Sequence, residues 1–179
     1  MNQIHIQFYQ TKPAEFILGS FEDQLCLLDF RYRKMRATVD RRLQHYLDAQ
    51  FVEQDNALLQ VTRQQIDEYL VGDRKQFDLP LLMLGTDFQL SVWQALRQLP
   101  YGTTCSYSQL ASEIGRASAV RAVAAANGAN ALMLAVPCHR VIAANGGLGG
   151  YAGGLSFKEQ LLALEQSVQS TDAIDDLVG

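Results

Sequence analysis

The chain has 179 residues, 48% of them hydrophobic, which is enough to bury a core in one domain or in two small ones. Its formal net charge of −4 excludes a globally basic surface, so any contact with nucleic acid must come from a local patch. The three cysteines form no C-x-x-C pair, and no apolar run approaches the ~20 residues that a membrane span needs. These features predict a protein of the reducing cytoplasm that does not contact a membrane.

The first half of the chain is predicted to be a small sheet with helices. Ile4, Ile6 and Phe8 alternate with polar residues, which is the period of a half-buried strand. Strands are predicted at residues 4–8, 16–20, 25–30 and 77–82. Helices are predicted at residues 39–47 and 56–70, and Gly72 ends the second. We place a domain boundary after residue 84, so that residues 1–84 form an N-terminal α/β domain.

Residues 85–170 are predicted to form a mostly helical C-terminal domain, followed by an acidic tail at residues 171–179 that we expect to be frayed. Helices are predicted at residues 88–99, 106–114, 119–127 and 156–166. A tight turn with Gly115 and Arg116 joins the second helix to the third, which fits the helix-turn-helix pattern, and Ser118 is the predicted N-cap of the third.

The third of these helices is rich in alanine from Ala122 to Ala126. Two interpretations are open. The helix is either buried closely against a neighbour, or its small side chains let its backbone enter a narrow groove, with Arg121 at its start. A narrow minor groove would require small side chains, whereas the wide major groove would not.

The segment Pro137-Cys138-His139-Arg140-Val141 is the strongest candidate for a reactive site. A cysteine beside a histidine can act as a nucleophile, because the thiolate is the reactive form and nearby positive charge lowers the thiol pKa. The alternative is a small buried cysteine next to a core histidine. For an isolated Cys-His dipeptide this structural interpretation is the more common one.

The context of this segment resembles one family over roughly Gly85 to Glu165. Pro-Cys-His-Arg-Val is the active-site signature of the O6-alkylguanine-DNA alkyltransferases. Flanking segments match that family in order and spacing: Phe88-Gln89, Val92-Trp93, Pro100-Tyr101-Gly102, Ser106-Tyr107, Arg121-Ala122-Val123, Asn130, Gly150-Tyr151-Ala152-Gly153-Gly154 and Lys158-Glu159. The resemblance implies the stand-alone bacterial type, with a ribonuclease H-like N-terminal domain and a winged helix-turn-helix-like motif in the C-terminal domain.

The resemblance also implies which residues carry the chemistry. Cys138 would take an alkyl group from O6 of guanine, and from O4 of thymine as a further substrate, once and irreversibly. His139 would act as its base through a water molecule, and Glu165 would orient His139. Tyr107 would donate to N3 of the base, and Asn130 would brace the turn before Cys138. The residues alone leave Tyr107 open as a core residue, Asn130 as a turn cap and Glu165 as part of a solvated helix face.

Further residues would bind the substrate if the resemblance holds. The carbonyl groups of Cys138 and Val141 would recognise the amino group of guanine. The walls of the pocket would be Tyr151, Ala152 and Gly153. A monomer would bind double-stranded DNA through the minor groove and extrude the damaged nucleotide. The residues implied to face the groove are Arg121, Ala122, Ala124 and Ala125. Arg97, Arg116 and Lys158 are either phosphate contacts or ordinary surface cations.

Two departures from the family and one missing ligand set affect these expectations. Ala131 stands where many members have proline, so we expect a less rigid turn before Cys138. Ala152 stands where some have serine, so we expect a backbone N–H to contact the substrate oxygen and the pocket to admit larger alkyl groups. The N-terminal domain offers Cys26, His5 and His45 as metal ligands, too few for a structural zinc site, so we expect no metal. We also expect no cofactor, and therefore one turnover, because the thioether product is a very poor leaving group.

Two other functions remain open. The first is a non-catalytic DNA binder that flags lesions, although such relatives lack the reactive cysteine. The second is a cysteine hydrolase that uses Cys138 and His139. Neighbouring side chains on an extended segment point to opposite sides, which makes direct pairing of these two residues awkward.

Overall fold

The computed structural model describes residues 1–178 and begins with a four-stranded sheet. The strands are β1 (Asn2–Gln10), β2 (Glu15–Phe21), β3 (Gln24–Phe30) and β4 (Ala49–Glu53). Their order is β3-β2-β1-β4, with β2 antiparallel to both neighbours and β4 parallel to β1. The first three strands confirm the prediction, whereas β4 was not predicted.

Two helices accompany this sheet. Helix α1 (Arg36–Leu47) carries the chain from β3 to β4, and helix α2 (Ala57–Leu70) begins at Asn56, whose side chain caps the backbone N–H of Leu59. The β2–β3 turn has positive φ at both Glu22 and Asp23, as a type I′ hairpin turn requires. Both predicted helices are therefore present.

The strand predicted at residues 77–82 does not form. Leu25 N donates to Pro80 O at 2.7 Å and Leu82 N donates to Leu25 O at 2.8 Å, which gives a single bridge between Leu25 and Leu81. Pro80 has no N–H to extend a ladder. The segment therefore covers the free edge of β3 at one point only.

The same edge of β3 also holds a segment of the C-terminal half. Leu28 N donates to Ala131 O at 2.8 Å, and Met133 N donates to Leu28 O at 2.7 Å. An uncovered strand edge is available for pairing with other chains. In this protein it is occupied by the turn that leads to Cys138.

The C-terminal half is mostly helical. Its elements are α3 (Asp87–Leu96), β5 (Cys105–Ser106), α4 (Tyr107–Glu113), α5 (Val120–Gly128), β6 (Val141–Ile142) and α6 (Leu155–Val178). Thr86 and Ser106 begin α3 and α4 with capping boxes, and α3, α4 and α5 pack on one another. The parallel pair of β5 and β6 joins the start of α4 to the residues that follow Cys138.

Several helix ends differ from the prediction, most clearly those of α3, α5 and α6. Helix α3 ends at Leu96 instead of Leu99, because the chain tightens into i→i+3 hydrogen bonds there. The N-cap of α5 is Ala119, without a side-chain cap, so the Ser118 cap was wrong.

Helix α6 runs to Val178, so the tail expected to be frayed is helical as far as that residue. Lys75 anchors it by a hydrogen bond to Gln169 of 2.9 Å and an ion pair with Asp172. Gly179 of the predicted tail lies outside the described residues. Within residues 1–178, no helix has the length and apolar character to cross a bilayer.

Candidate functional site

A buried thiol lies in a cavity of about 370 Å³ between the two halves of the chain, within the typical size range of small-ligand pockets. The thiol belongs to Cys138. Residues of both halves line the cavity: Arg33, Met35, Tyr107, Ala124, Asn127, Gly128, Met133, Cys138, Gly150, Tyr151 and Ala152. The reactive site predicted from the C-terminal sequence is thus completed by the loop before α1.

The chain reaches Cys138 through a tightly held turn. Asn130 is buried; its Nδ2 donates to Val136 O at 2.8 Å, and its Oδ1 accepts from Leu132 N at 2.9 Å. Leu134 has φ of 69°, a left-handed conformation that is strained for a leucine. Asn130 therefore holds this turn as predicted, although Ala131 replaces the proline of many relatives.

The thiol of Cys138 is protonated at neutral pH. Its Sγ lies 3.5 Å from Met133 Sδ, and no hydrogen bond joins it to His139 among residues 1–178. Burial raises the pKa of Cys138 to about 11, while the Asn130 amide opposes the shift. The predicted lowering of this pKa is wrong for the free protein, because the cost of burying a thiolate exceeds the help from the surrounding groups.

His139 and Glu165 form a buried pair. Cys138–Arg140 is a turn of 3-10 helix instead of the extended segment expected, and it directs His139 Nε2 to within 2.6 Å of Glu165 Oε2. Burial lowers the pKa of His139 more than Glu165 raises it, so the ring is neutral with Nε2–H donating to Glu165. Nδ1 has no hydrogen-bond partner within the described protein and remains available as a base.

Glu165 is a charged acceptor at neutral pH. Arg140 donates to it through Nε at 2.8 Å and Nη2 at 3.1 Å, and Gly102 N donates at 3.0 Å. Burial alone would raise the pKa of Glu165, but the hydrogen bonds from His139 and Arg140 and the positive charge of Arg140 lower it to about 2. The alternative of a solvated helix face is wrong for Glu165, and Arg140 holds the structural ion pair.

Tyr69 is a fourth member of this cluster that the sequence did not indicate. Its hydroxyl donates to Glu165 Oε2 at 2.5 Å and lies 3.3 Å from His139 Nε2. On α2 it follows Ile66 in the buried stripe, so in the sequence it has the pattern of an ordinary core residue. A residue of the N-terminal half therefore contacts the histidine–glutamate pair.

The predicted pocket residues occupy different positions around the thiol. Tyr107, Tyr151 and Ala152 line the cavity, and the β5–β6 pair brings Tyr107 there. Gly153 lies beside it against Phe30, where an added Cβ would come within 2.5 Å of the ring. Tyr107 is thus a cavity residue and not only a core residue.

Lys158 is buried instead of exposed, so both alternatives considered for it were wrong. Its ammonium group donates to Val141 O at 2.6 Å, to Gly150 O at 3.2 Å and to Leu148 O. These three carbonyl oxygens accept the hydrogen bonds that the ammonium group of an exposed lysine would donate to water. Lys158 thereby holds the glycine-rich loop (residues 146–154) over the cavity and already contacts the Val141 carbonyl expected to bind substrate.

Helix α5 exposes small side chains beside the cavity. Val123 and Ala126 are buried where the helix packs closely on α3 and α4, whereas Ala122 and Ala125 are exposed, so close packing on neighbours accounts for one face of the helix only. Ala124 lines the cavity itself. The predicted DNA-contacting residue Arg121 is exposed at the start of the helix and takes no part in the buried cluster.

Two arginines of the N-terminal half hold the end of α5, and the sequence did not indicate them. Arg33 pairs with Asp29 at 3.2 Å, and it also donates to Gly128 O at 2.6 Å and to Asn130 O at 3.2 Å. Arg42 donates to Ala129 O at 2.8 Å. Together they fix three consecutive carbonyl groups just before the turn that leads to Cys138.

Comparison with known proteins places both halves of the chain in one family. The family models described as 6-O-methylguanine DNA methyltransferase match as a ribonuclease-like domain over residues 4–83 and as a DNA binding domain over residues 87–167. The methylated-DNA–protein-cysteine methyltransferase of Methanosarcina acetivorans is 49% identical over 92% of this chain and 99% of its own length. The inducible Bacillus subtilis protein of that name is 50% identical, over 65% of each chain.

Solved structures agree with this result. The Mycobacterium tuberculosis OGT protein, crystallised in complex with DNA, superposes with a TM-score of 0.78 and 35% identity over 92% of this chain and 94% of its own. The predicted fold class is confirmed by these matches. With the resemblance seen in the sequence thus confirmed over both halves, the chain belongs to the 6-O-methylguanine DNA methyltransferase family.

Proposed function

We propose that this protein repairs DNA by transferring an alkyl group from O6 of guanine, and also from O4 of thymine, to its own Cys138. The observation that carries the proposal is the buried thiol of Cys138 in a cavity next to the His139–Glu165 pair. The named relatives are methylated-DNA–protein-cysteine methyltransferases, which supports the same reaction.

The proposed reaction is a single displacement at the alkyl carbon. The sulfur–carbon bond forms as the carbon–O6 bond breaks, and the bonding electron pair leaves with guanine. The thiol proton passes through a water molecule to Nδ1 of His139, while Glu165 stabilises the imidazolium that results. Because the free thiol has a raised pKa, removal of its proton is coupled to attack, and the resting protein is protected from unrelated electrophiles.

The damaged base is proposed to enter the cavity after extrusion from the duplex, which costs a few kcal/mol of unstacking. Tyr107 then donates to N3. The amino group donates to the carbonyl of Cys138 and to the lone pair of the Val141 carbonyl that Lys158 leaves free. Tyr151, Ala152 and Gly153 enclose the base. The buried hydroxyl of Tyr151 has no partner within residues 1–178, which is consistent with a polar ligand in this cavity.

DNA is proposed to meet the exposed face of α5 through its minor groove. Ala122, Ala124 and Ala125 allow close approach of the backbone, and Arg121 fills the space that the extruded base leaves. We further propose a cytoplasmic monomer divided between residues 84 and 85, a boundary that falls between the two segments matched by the family models.

The test is the intact mass of the protein after incubation with a duplex that carries one O6-methylguanine, followed by peptide mapping. We expect one added methyl group at Cys138, restored guanine and no second turnover. Cys138→Ala should gain no methyl group. Cys105→Ala, which removes a partly buried thiol elsewhere, should react like the wild type.

The other outcomes lead to the rival functions. Tight binding to the lesion without a mass change would replace the proposal by a lesion-flagging DNA binder. Hydrolysis of a general ester or peptide substrate would point to a cysteine hydrolase, although within the described residues no hydrogen bond joins Cys138 Sγ to the His139 ring. If the protein neither binds the lesion nor takes up an alkyl group, the proposed function is refuted.

A further inference from the structure

The carboxylate of Glu165 accepts five hydrogen bonds, and one of them comes from the other half of the chain. Oε1 accepts from Gly102 N and Arg140 Nε, and Oε2 accepts from His139 Nε2, Arg140 Nη2 and the hydroxyl of Tyr69. The 2.5 Å bond from Tyr69 is the shortest of the five. Tyr69 and His139 therefore share one carboxylate oxygen.

We propose that Tyr69 is a positioning residue for alkyl transfer, whose hydroxyl holds Glu165 against His139 and keeps the imidazole neutral, with Nδ1 free to take the proton of Cys138. This inference rests on the proposed function of Cys138.

The position of the hydroxyl is fixed by packing. Tyr69 lies on α2, is fully buried, and has ring neighbours at centroid distances of 5.5 Å (Phe77), 6.2 Å (Tyr101) and 6.4 Å (His139). Burial and the charge of Glu165 raise its pKa well above 10, so the group stays a neutral donor at every pH at which the protein works. A rigid donor of this kind defines the orientation of the carboxylate that it contacts.

The hydroxyl also limits how strongly Glu165 attracts a second proton on His139. A carboxylate oxygen that already accepts a short hydrogen bond is a weaker base toward the imidazole, so the imidazolium form gains less from Glu165. The other titratable or charged groups around the pair come from several elements: Arg140 and Cys138 from the 3-10 turn, Lys158 from α6, Tyr101 from the loop after α3 and Tyr151 from the glycine-rich loop. Tyr69 is the contribution of the N-terminal half.

The experiment compares Tyr69→Phe with the wild type in a pH–rate profile of single-turnover methyl transfer. Loss of the hydroxyl should raise the pKa of His139, because Glu165 then attracts the imidazolium more strongly. We expect the acidic limb of the profile to move up by about one pH unit, with the rate recovering at higher pH.

Tyr101→Phe is the matched control. Tyr101 is also buried and feels the charge of Glu165, but its hydroxyl has no hydrogen-bond partner within residues 1–178. Its profile should coincide with that of the wild type. NMR titration of His139 in the free protein gives a second readout, made simple by the presence of only three histidines in the sequence.

A raised acidic limb and a raised pKa of His139, confined to Tyr69→Phe, would support the inference. A uniform loss of rate at all pH values, with an unchanged titration of His139, would mean that Tyr69 only supports the fold and would overturn it. If the wild type transfers no alkyl group, the proposed function fails. The titration alone then decides whether Tyr69 controls the imidazole, and an unchanged titration rejects that role too.

Discussion

Replacing the buried Arg33 by methionine should destabilise the protein far more than replacing an arginine on the surface would. The guanidinium group is 5% exposed and Asp29 is fully buried, so the substitution leaves a buried carboxylate with Arg36 as its remaining partner. It also leaves the carbonyl groups of Gly128 and Asn130 without their donor. Because Arg36 still pairs with Asp29 at 2.9 Å, the cost should be about 2–4 kcal/mol, below that of a fully broken buried pair.

Arg31→Met is the matched control, two residues away and with the same chemistry. Arg31 pairs with Glu15 at a partly exposed site and stacks on Phe8 at 3.8 Å, so its loss should cost about 1 kcal/mol. Urea unfolding can be followed by the fluorescence of the single tryptophan, Trp93, which is buried and donates to Ala126 O at 2.9 Å.

In a thermal scan the Arg33→Met variant should unfold about 10 °C below the wild type, since each kcal/mol lowers Tm by roughly 2–4 °C in a chain of this size. Its methyl transfer should also slow, because the turn before Cys138 loses two of its anchors. Equal losses of stability in Arg33→Met and Arg31→Met would refute the view that the N-terminal half holds the active site through Arg33.

Three further predictions concern the site itself. Because the pKa of Glu165 falls from 4.5 to about 2 on folding, it adds roughly 3 kcal/mol of stability above pH 4.5 that is lost as the pH falls toward 2. The lowered pKa of His139 adds to this loss below pH 6.5. A Tm that is flat from pH 7 to 3.5 would contradict a buried carboxylate of Glu165 beside a neutral His139. Methylation of Cys138 should lower Tm because the added group crowds Met133, whose Sδ lies 3.5 Å from the thiol, at a cost of about 1–3 kcal/mol, and an unchanged or higher Tm would count against this. Ala152→Ser should lower the ratio of benzyl to methyl transfer rates because it narrows the cavity, and a steep preference of the wild type for methyl would reject the idea of a roomy pocket.

The elements that could be predicted from the sequence depend on local signals. The alternation from Ile4 to Phe8 is sufficient to identify β1. Strand β4 carries only Phe51 and Val52 between polar residues, and it becomes a strand by pairing with β1, some forty-five residues earlier in the chain. The segment at residues 77–82 is apolar and extended enough to predict a strand, but Pro80 prevents a continuous ladder.

The residues of the site also divide into those that a local sequence pattern indicates and those that only the packing of distant segments brings in. The signature around Cys138, together with the family resemblance, led to His139 and Glu165, and the structure brings these two together. Tyr69 and Arg33 reach the site through the packing of one half of the chain on the other, which no local pattern records. The burial of Lys158 could not be foreseen either, because it depends on the carbonyl group of Val141 in β6 and on those of Leu148 and Gly150 in an irregular loop.

The pairing of Leu28 with the turn at Ala131–Met133 has a consequence for the fate of the used protein. If the methyl group on Cys138 loosens that turn, the backbone amide of Leu28 and its strand edge become exposed, while an unused molecule keeps them covered. Amide hydrogen exchange at Leu28 and Met133 should then quicken after reaction and stay slow elsewhere in the sheet. The alkylated protein would expose an unpaired edge of β3, by which a protease or chaperone could distinguish it from the unreacted protein.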